Sequence, residues 1–281
     1  MSTTRHEIFG TGAIGLATLD ALRRRGETVR LVNRSGHARV PDDIEVVGGD
    51  ASDPAFTTAV SQGASVLYQV LNPPYHQWAA QFPALQAGVL VAAEATGTRL
   101  VSMENVYMYG RPAGQPLVET RDYAAHTRKG KLRGRMARDL LAAHAAGRVQ
   151  VAIGRASDYF GPRGGAQSNL GDRVFPAAIA GKTAKVICDP DQPHTYTYIP
   201  DIREGLAVLG EVPLRPGRCG TYPTTPPPAP RGNSSTSSTH TRANAGPNSA
   251  PCHCRCCAPL PSSTRPCANS WRCSTSSRSR S

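Results

Sequence analysis

The fold is decided by residues 7–15, Glu-Ile-Phe-Gly-Thr-Gly-Ala-Ile-Gly, near the start of the 281-residue chain. A short apolar run leads into three glycines, and apolar residues at helical spacing follow as far as Arg25. A strand, a tight turn and a helix in this order are typical of a dinucleotide-binding loop. In such a loop Gly10 permits the turn, Gly12 admits a pyrophosphate and Gly15 lets the helix pack closely, whereas the alternative is a purely structural glycine turn. The cofactor-binding residues predicted here are Gly10, Thr11, Gly12, Ala13, Ile14 and Gly15.

Further short apolar runs follow the first strand, and most of them are separated by segments of helical length. They are residues 29–32, 44–47, 66–71, 100–103 and 149–153. Strands that alternate with helices in this way form a parallel sheet with crossover connections. The predicted fold class is therefore α/β, with a Rossmann-type doubly wound parallel sheet, a small C-terminal substrate lobe and a disordered tail.

The predicted domain organisation follows from where this alternation weakens. Residues 1–154 are predicted to form the NAD(P)-binding Rossmann domain. Residues 155–217 are predicted to form a partial substrate-binding lobe, with a helix near 172–180, a strand at 184–188 and a helix that begins at Asp201. Residues 218–281 are predicted to form the tail.

The tail differs in composition from the rest of the chain. It contains no Asp, Glu or Lys, eight Arg and seven of the eight cysteines, and Leu260 is its only residue among Val, Ile, Leu, Met and Phe. Such a segment cannot bury enough apolar surface to offset the entropy lost on ordering, so we expect disorder. The cysteines of the run 252–257 are spaced too closely for the usual zinc site, and no metal site is predicted.

The genetic code offers an explanation of this composition. Read from the third base of each codon, residues 218–223 can encode Val-Trp-His-Leu-Pro, and residues 232–239 can encode an amphipathic helix in the same shifted frame. We interpret the tail as a frameshifted reading of the ordinary C-terminus, with a genuine basic tail as the alternative. This interpretation predicts exposed apolar surface at Leu206, Val208 and Leu209, and a chain that is poorly stable or inactive. A single-base correction of the frame near codon 217 is expected to raise the melting temperature.

Charge and hydropathy exclude several classes of function. The tail carries +8 of the formal net charge of +12, so the body is only mildly basic and a nucleic-acid partner is not expected. No apolar stretch approaches the roughly 18 residues of a membrane span. The N-terminus lacks the long apolar region of a secretory signal, which predicts a soluble cytoplasmic protein.

Cofactor choice is predicted from the residues that follow the second and third strands. Asn33, Arg34 and Ser35 stand where an acidic residue would accept hydrogen bonds from a ribose 2′-hydroxyl. A neutral amide followed by a guanidinium favours a 2′-phosphate, and hence NADP over NAD, unless Arg34 is only an exposed loop charge. Asp50 and Ala51 are predicted to lie beside the adenine, with a turn role for Asp50 as the alternative.

Five segments together resemble the extended or atypical short-chain dehydrogenase/reductase family, often labelled NAD-dependent epimerase/dehydratase. They are IFGTGAIG, GGDASDP, ENVYMYG with PLVET after it, GRASDYFGP and PHTYTYIPDI, and the resemblance covers about residues 6–217. It implies a Rossmann domain with a small substrate lobe, and an NAD(P)-dependent oxidoreductase or epimerase. It also implies a catalytic Tyr-x-x-x-Lys pair with a serine at the fifth strand.

The catalytic pattern of that family is incomplete in this chain. The family lysine falls on Lys131, but the position four residues earlier is Thr127. A threonine hydroxyl cannot replace a phenol with a lowered pKa, because its own pKa is far higher. Tyr107 or Tyr109, just after the fifth strand, could take the role, with aromatic packing as the alternative.

The family serine falls in a region where the register is ambiguous by two residues. Ser102 is the candidate, and Glu104 and Asn105 lie in the same region. The sequence does not choose among them.

Polar residues after the fourth and sixth strands are predicted to contact the substrate. Asn72, Tyr75 and His76 belong to a proline-containing loop after the fourth strand, and Arg155 follows the sixth. Asp158, His194, Tyr196 and Tyr198 extend this set from the lobe, with Tyr196 as the substrate candidate. The alternatives are a surface histidine at position 76 and tyrosines that fill the lobe interior.

Two classes of function are therefore carried forward. An enzyme would bind NADP or NAD and transfer hydride to or from a polar hydroxyl or carbonyl compound, such as a sugar derivative, or epimerise it. A regulator would bind NADP with the same glycines and perform no chemistry, which the missing phenol at position 127 favours. The partner expected in either case is a small molecule, and a homodimer is compatible with both.

Overall fold

The computed structural model describes residues 5–187, 194–213 and 220–223. The strands in these residues are β1 (Arg5–Phe9), β2 (Thr28–Asn33), β3 (Glu45–Gly48), β4 (Val66–Gln69), β5 (Arg99–Glu104), β6 (Val151–Arg155), β7 (Asp158–Phe160), β8 (Tyr196–Tyr198) and β9 (Gly220–Pro223). The helices are α1 (Ala13–Arg24), α2 (Pro54–Val60), α3 (Trp78–Thr96), α4 (Arg128–Ala145), α5 (Phe175–Ile179) and α6 (Ile199–Glu211). Short 3-10 turns occur at Tyr75–Gln77, Tyr107–Tyr109 and Gly165–Gln167.

The main sheet runs in the order β3-β2-β1-β4-β5-β6-β9, and every pairing within it is parallel. Strand β1 pairs with both β2 and β4, so the strand order reverses at β1. In an open parallel sheet, ligands bind outside the carboxyl ends of the strands at such a reversal. The predicted Rossmann-type α/β fold is confirmed, and its ligand-binding edge is the one where β1, β4, β5 and β6 end.

The core lies on both faces of this sheet. On one face, Leu67, Leu100 and Ile153 pack with Val89 of α3 and Leu140 of α4, and all five are fully buried. On the other face, a Cβ on Gly154 would touch Leu206 and Leu209 of α6. Successive residues of a strand point to opposite faces, so the sheet is covered by helices on both sides.

The face covered by α3 and α4 changes character along the strands. By the alternation of a strand, the apolar residues Leu67, Leu100 and Ile153 are followed on the same face, nearer the carboxyl ends, by polar residues. These are Gln69, Ser102, Glu104 and Arg155, and all are buried. The core therefore turns polar as it approaches the ligand-binding edge.

Leu206, Val208 and Leu209, the apolar residues predicted to be exposed, lie on helix α6. The structure divides into two compact units, and α6 belongs to the first, which comprises residues 5–156, 199–213 and 220–223. Leu206 and Leu209 are buried, so the expectation that they are exposed is wrong, whereas Val208 is 39% exposed. The physical reason is that the apolar face of α6 packs on α1, β5 and β6.

The second unit comprises residues 157–187 and 194–198. It holds the parallel pair β7 and β8, which the sequence did not predict, and the short helix α5. Residues 184–187 are not in a strand, so that predicted strand is wrong where the structure describes it, and Cys188 lies outside the described residues. Three-residue strands are too short to show the alternation on which sequence-based prediction depends.

Strand β9 lies within the segment predicted to be disordered, and there the prediction is wrong. Residues 220–223 pair in parallel register with residues 152–155 of β6. The backbone groups at the free edge of β6 accept a further strand whatever its side chains are, which composition cannot reveal. Residues 224–281, with the cysteine-rich run and the predicted frameshifted helix, lie outside the described residues. Within the described residues no helix is long and apolar enough to cross a membrane.

Candidate active site

The turn between β1 and α1 needs two of its glycines for internal reasons. Gly10 has a φ of +116°, a region that disfavours side chains, and its N–H donates to the carbonyl of Val32 over 2.9 Å. A Cβ on Gly15 would lie 1.9 Å from the carbonyl oxygen of Gly10. Helix α1 can therefore approach the turn only because position 15 has no side chain.

Gly12 has no such internal reason to be glycine. A Cβ there would meet nothing within 4 Å, and Gly12 is exposed at the N-cap of α1. No side chain caps this helix, and no acidic residue lies in its first turn. The first N–H groups of α1 are thus not capped by a side chain, and no protein atom occupies the space beside the Cα of Gly12. This geometry fits a pyrophosphate group.

Asn33 at the end of β2 organises the loop that follows it. Its Nδ2 donates to Thr11 Oγ1 over 3.0 Å and to the carbonyl of His37 over 2.8 Å. Its Oδ1 accepts from the N–H groups of Ser35 and Gly36 over 3.0 and 2.7 Å. The amide is therefore engaged within the protein and links the glycine loop to the loop after β2, while Arg34 and Ser35 are exposed.

Asp50, which follows β3, is exposed, and its carboxylate accepts hydrogen bonds from Ser52 in the same loop. The Oδ1 atom accepts from the N–H of Ser52 over 2.9 Å and from Ser52 Oγ over 2.8 Å. These two hydrogen bonds, with a smaller attraction from Arg34, hold the pKa of Asp50 below its usual range. Ala51, beside it, is buried.

A cleft of about 430 Å³ lies between the turn after β5, the turn after β4 and the start of α4. Its lining residues are Tyr75, Tyr107, Gly110, His126, Thr127, Arg128 and Lys129. Two of the predicted site residues, Tyr75 and Tyr107, are thus brought together. Asn72 and His76 are not among the lining residues.

Thr127 caps the start of α4. Its Oγ1 accepts a hydrogen bond from the N–H of Gly130 over 3.0 Å, which is the usual role of a threonine before a helix. Lys131, one turn later, is exposed and does not line the cleft. The residue at the position of the family tyrosine therefore serves the backbone of the helix, and the lysine inside the cleft is Lys129, which the sequence analysis did not single out.

The two candidate tyrosines have different surroundings. Tyr107 lines the cleft, whereas Tyr109 is 2% exposed and accepts a hydrogen bond from Arg155 Nη1 over 2.8 Å. Arg155 also donates through Nη2 to the hydroxyl of Tyr123. Burial raises the pKa of the Tyr109 hydroxyl, and Arg155 opposes that rise only in part. Tyr109 therefore stays protonated at neutral pH.

Ser102 belongs to a buried polar network. Its hydroxyl lies 3.3 Å from Glu104 Oε1 and 3.4 Å from Gln69 Oε1, and it is fully buried. Glu104 Oε2 in turn accepts from Arg133 Nη2 of α4 over 2.5 Å. Burial raises the pKa of the Glu104 carboxyl, an effect that the neighbouring guanidinium of Arg133 opposes. The sequence could not reveal this pair, because its two residues are 29 positions apart.

The second unit holds a polar cluster of its own. His194 Nε2 lies 3.0 Å from Asp158 Oδ2, which also accepts from Asn169 Nδ2 over 2.7 Å. The ring of His194 packs on that of Tyr196 with centroids 4.5 Å apart. Tyr196 is buried, as the interior alternative anticipated, and Tyr198 is 39% exposed. The described residues contain no group of three metal-ligating side chains.

The glycine loop and the helices and strands that follow it match a known protein family. The model of the NAD dependent epimerase/dehydratase family matches residues 10–215, from the glycine loop to just beyond α6. The chain belongs to this family. The predicted family and the predicted class of NAD-dependent enzyme are thereby confirmed.

Solved structures share the fold of this family member at low sequence identity. UDP-N-acetylglucosamine 4-epimerase from Methanobrevibacter ruminantium M1, in complex with UDP-N-acetylmuramic acid, has a TM-score of 0.66 at 15% identity, over 79% of this chain and 76% of its own. UDP-glucose 4-epimerase from Thermus thermophilus, in complex with NAD, has a TM-score of 0.62 at 17% identity, over 79% and 77%. A comparison with curated proteins found no match.

Proposed function

We propose that the chain binds NADP or NAD at the glycine loop and acts as an oxidoreductase or epimerase on a polar hydroxyl or carbonyl compound, such as a sugar derivative. The observation that carries this proposal is Gly12, an exposed glycine whose missing side chain serves no contact inside the protein. A bound nicotinamide cofactor supplies a hydride acceptor or donor. The residues of the chain supply the site that holds the substrate and moves its proton.

NADP is proposed as the preferred cofactor because of Arg34. Asn33 is engaged with Thr11 and with its own loop, so its role in this proposal is to order the loop. Arg34 is exposed beside it and presents a guanidinium that suits a 2′-phosphate. Asp50 also attracts Arg34, so the two interactions compete for one side chain. Asp50 and Ala51 are proposed to lie near the adenine.

Tyr107 is the proposed acid/base group. It lines the cleft, beside Thr127, which is occupied as a helix cap. Tyr109 is held by Arg155 and is buried, so it is the less favoured of the two candidates. Ser102 is fully buried and is proposed to act through the Glu104–Arg133 pair and not by touching the substrate.

The remaining candidates keep the roles that the sequence indicated. Lys131 is proposed to orient the cofactor ribose from the exposed side of α4. Asn72, His76, Arg155 and Tyr196 stay predictions as substrate contacts.

A second function remains a candidate because of one observation. Thr127 has a structural partner of its own, the N–H of Gly130, so the family tyrosine is replaced by a residue with another use. A protein that binds NADP and signals its presence without chemistry would tolerate this replacement. The enzyme hypothesis requires a substitute hydroxyl in the cleft, and the regulator hypothesis does not.

One experiment distinguishes these two functions. Titration calorimetry with NADP and NAD measures cofactor binding. Net oxidation or reduction of sugars, steroids and small ketones is followed through the absorbance of the reduced cofactor, and epimerisation, which leaves the cofactor unchanged, is followed by NMR of the sugar. Binding of NADP with turnover that Tyr107→Phe abolishes supports the enzyme, with Thr127→Val as the variant expected to stay active. NADP binding without turnover of any of these compounds supports the regulator, and failure to bind either cofactor contradicts both.

The proposed setting is the cytoplasm, with the protein as a homodimer. The body of the chain lacks the charge and hydropathy patterns of membrane and nucleic-acid proteins. Sedimentation velocity on the full chain measures the state of association directly, and a monomer across the accessible concentrations would contradict the dimer.

A further inference from the structure

The charge of the cleft is one-sided. Its lining contains the cations Arg128 and Lys129 and the imidazole of His126, together with two phenols, a hydroxyl and a glycine. None of the seven lining residues is acidic, and the first turn of α4 contains no acidic residue either. A concave site with cations and no anions raises the local concentration of negatively charged ligands.

Lys129 is the cation whose position is fixed. Its Nζ donates to the carbonyl of Tyr75, lies 3.7 Å from the centroid of the Tyr75 ring and 5.7 Å from that of Trp78. Trp78 is itself buried, and its Nε1 donates to the carbonyl of Pro73 over 3.0 Å. Because a cation held by ring faces has already lost much of its side-chain entropy, it can bind an anion at a smaller entropic cost.

The aromatic side chains of the cleft indicate a second property of its ligand, a ring with an apolar face. Tyr107 packs at the edge of a cluster formed by Trp78, Phe82, Leu132 and Met136, with its ring centroid 5.9 Å from that of Trp78. Tyr75 is 55% exposed, so part of its ring stays open beside the ammonium of Lys129. Rings of this kind pack against the apolar face of a sugar or another ring, while the cation meets a charged substituent.

We propose that this cleft binds the anionic group of the substrate, a carboxylate or a phosphoryl group carried by a polyhydroxylated ring, and that Lys129 is the residue that selects it. The proposal rests on the proposed function, because it names the substrate class of the same site. A neutral sugar leaves Lys129 with no counter-charge and is bound less tightly. The ammonium of Lys129 forms a charge-assisted hydrogen bond with the anion while it retains the Tyr75 carbonyl as its second acceptor.

The test compares three probes on the full chain by titration calorimetry, with NADP present. Glucuronate carries a carboxylate, glucose 1-phosphate carries a phosphoryl group, and glucose carries neither. We expect at least one anionic probe to bind about tenfold more tightly than glucose, with an advantage that falls as salt is added. Preference for glucuronate identifies a carboxylate substrate, and preference for glucose 1-phosphate identifies a phosphorylated one.

Three variants assign the effect to Lys129. Lys129→Met is expected to remove the preference for the anion, and Lys129→Arg is expected to retain most of it. Arg135→Met, which removes an equal charge from an exposed position of the same helix, is expected to change nothing. Melting temperatures of all three variants show that each is folded.

The outcomes separate this inference from the proposed function. Normal NADP binding together with equal affinities for glucose and both anionic probes overturns the inference alone, as does an unchanged preference in Lys129→Met. Binding of none of the three probes overturns it as well. Failure of the unmodified chain to bind NADP or NAD overturns the proposed function instead.

Discussion

Two regions lie at the carboxyl edge of the sheet, and they differ in whether they keep the residues of the family pattern. At the end of β1, Gly10 and Gly15 satisfy the close approach of α1, and Gly12 keeps its space empty. At the start of α4, the position of the family tyrosine is Thr127, whose side chain caps the helix. The comparison teaches that the glycine-loop pattern and the Tyr-x-x-x-Lys pattern depend on separate residues, so a chain can keep the first and depart from the second.

The largest expected effect on stability concerns the buried pair Glu104–Arg133, whose arginine lies on α4. Arg133→Met removes the ion-pair partner of the buried Glu104 carboxylate and leaves only the weaker attraction of Arg155, which costs about 3–5 kcal/mol of the free energy of unfolding. The double variant Arg133→Met, Glu104→Gln is expected to recover part of this loss, since the buried charge of Glu104 is then removed together with that of its partner. Urea denaturation measures both values, and equal stability of the single variant and the unmodified chain would show that the pair contributes nothing.

The same variant has a predictable pH dependence. Burial already raises the pKa of Glu104, and removal of Arg133 takes away the main influence that lowers it. A carboxyl whose pKa in the folded state lies above its unfolded value of about 4.3 binds its proton more tightly in the folded state. Stability therefore falls as pH rises from the unfolded pKa to the folded pKa. The deficit of Arg133→Met should therefore be smaller at acid pH than at alkaline pH, and the opposite trend would contradict the assigned direction.

The next effect separates the two kinds of glycine in the turn between β1 and α1. Gly15→Ala forces a Cβ to within 1.9 Å of a backbone oxygen and is expected to cost about 1–3 kcal/mol or more of stability. In Gly12→Val the added Cβ meets no protein atom within 4 Å, so we expect little change in melting temperature and complete loss of NADP and NAD binding.

Gly205→Val is the matched control, because its Cβ also meets nothing within 4 Å and it lies on α6, away from the glycine loop. Differential scanning fluorimetry and calorimetry give the two readouts. Undiminished cofactor binding in Gly12→Val would remove the main support for the proposed site.

Cofactor preference gives a smaller effect. Arg34→Asp replaces a cation with a carboxylate that repels a 2′-phosphate and can accept from a 2′-hydroxyl, so the ratio of NADP to NAD affinity should fall by about tenfold or more. Arg39, which is also exposed, offers a control of equal charge change in Arg39→Asp. Identical ratios in the unmodified chain and in Arg34→Asp would assign cofactor choice to another part of the loop.

The smallest effect concerns the helix cap itself. Thr127→Val removes the acceptor for the N–H of Gly130 and should cost about 1 kcal/mol, whereas Thr127→Ser should cost little. Activity per folded molecule is expected to survive in both, because Thr127 has no proposed chemical role. If Thr127→Val loses turnover while the single variants Tyr107→Phe and Tyr109→Phe stay fully active, the catalytic hydroxyl is that of Thr127.

Sequence analysis located the elements whose signals are local. Apolar runs and the glycine spacing predicted six strands of the main sheet and the turn into α1, because each is specified by neighbouring residues. Helix α6 was predicted, but its partner was not, since the spacing of Leu206 and Leu209 shows that a face is apolar without showing what covers it. Thr127 carried a signal that was not used, namely a threonine immediately before a helix.

The change from apolar to polar side chains along β4, β5 and β6 has a consequence for local unfolding of the sheet. Dry apolar contacts hold the amino-terminal parts of β4, β5 and β6, while their carboxyl ends rest on Gln69, Ser102, Glu104 and Arg155, whose hydrogen bonds water can replace. Amide protons should therefore exchange with deuterium sooner at residues 103–110 than at residues 99–101 of the same strand and turn. The carboxyl ends of these strands also form the proposed ligand-binding edge. We therefore expect a bound ligand to slow exchange at residues 103–110 and to leave exchange at residues 99–101 unchanged.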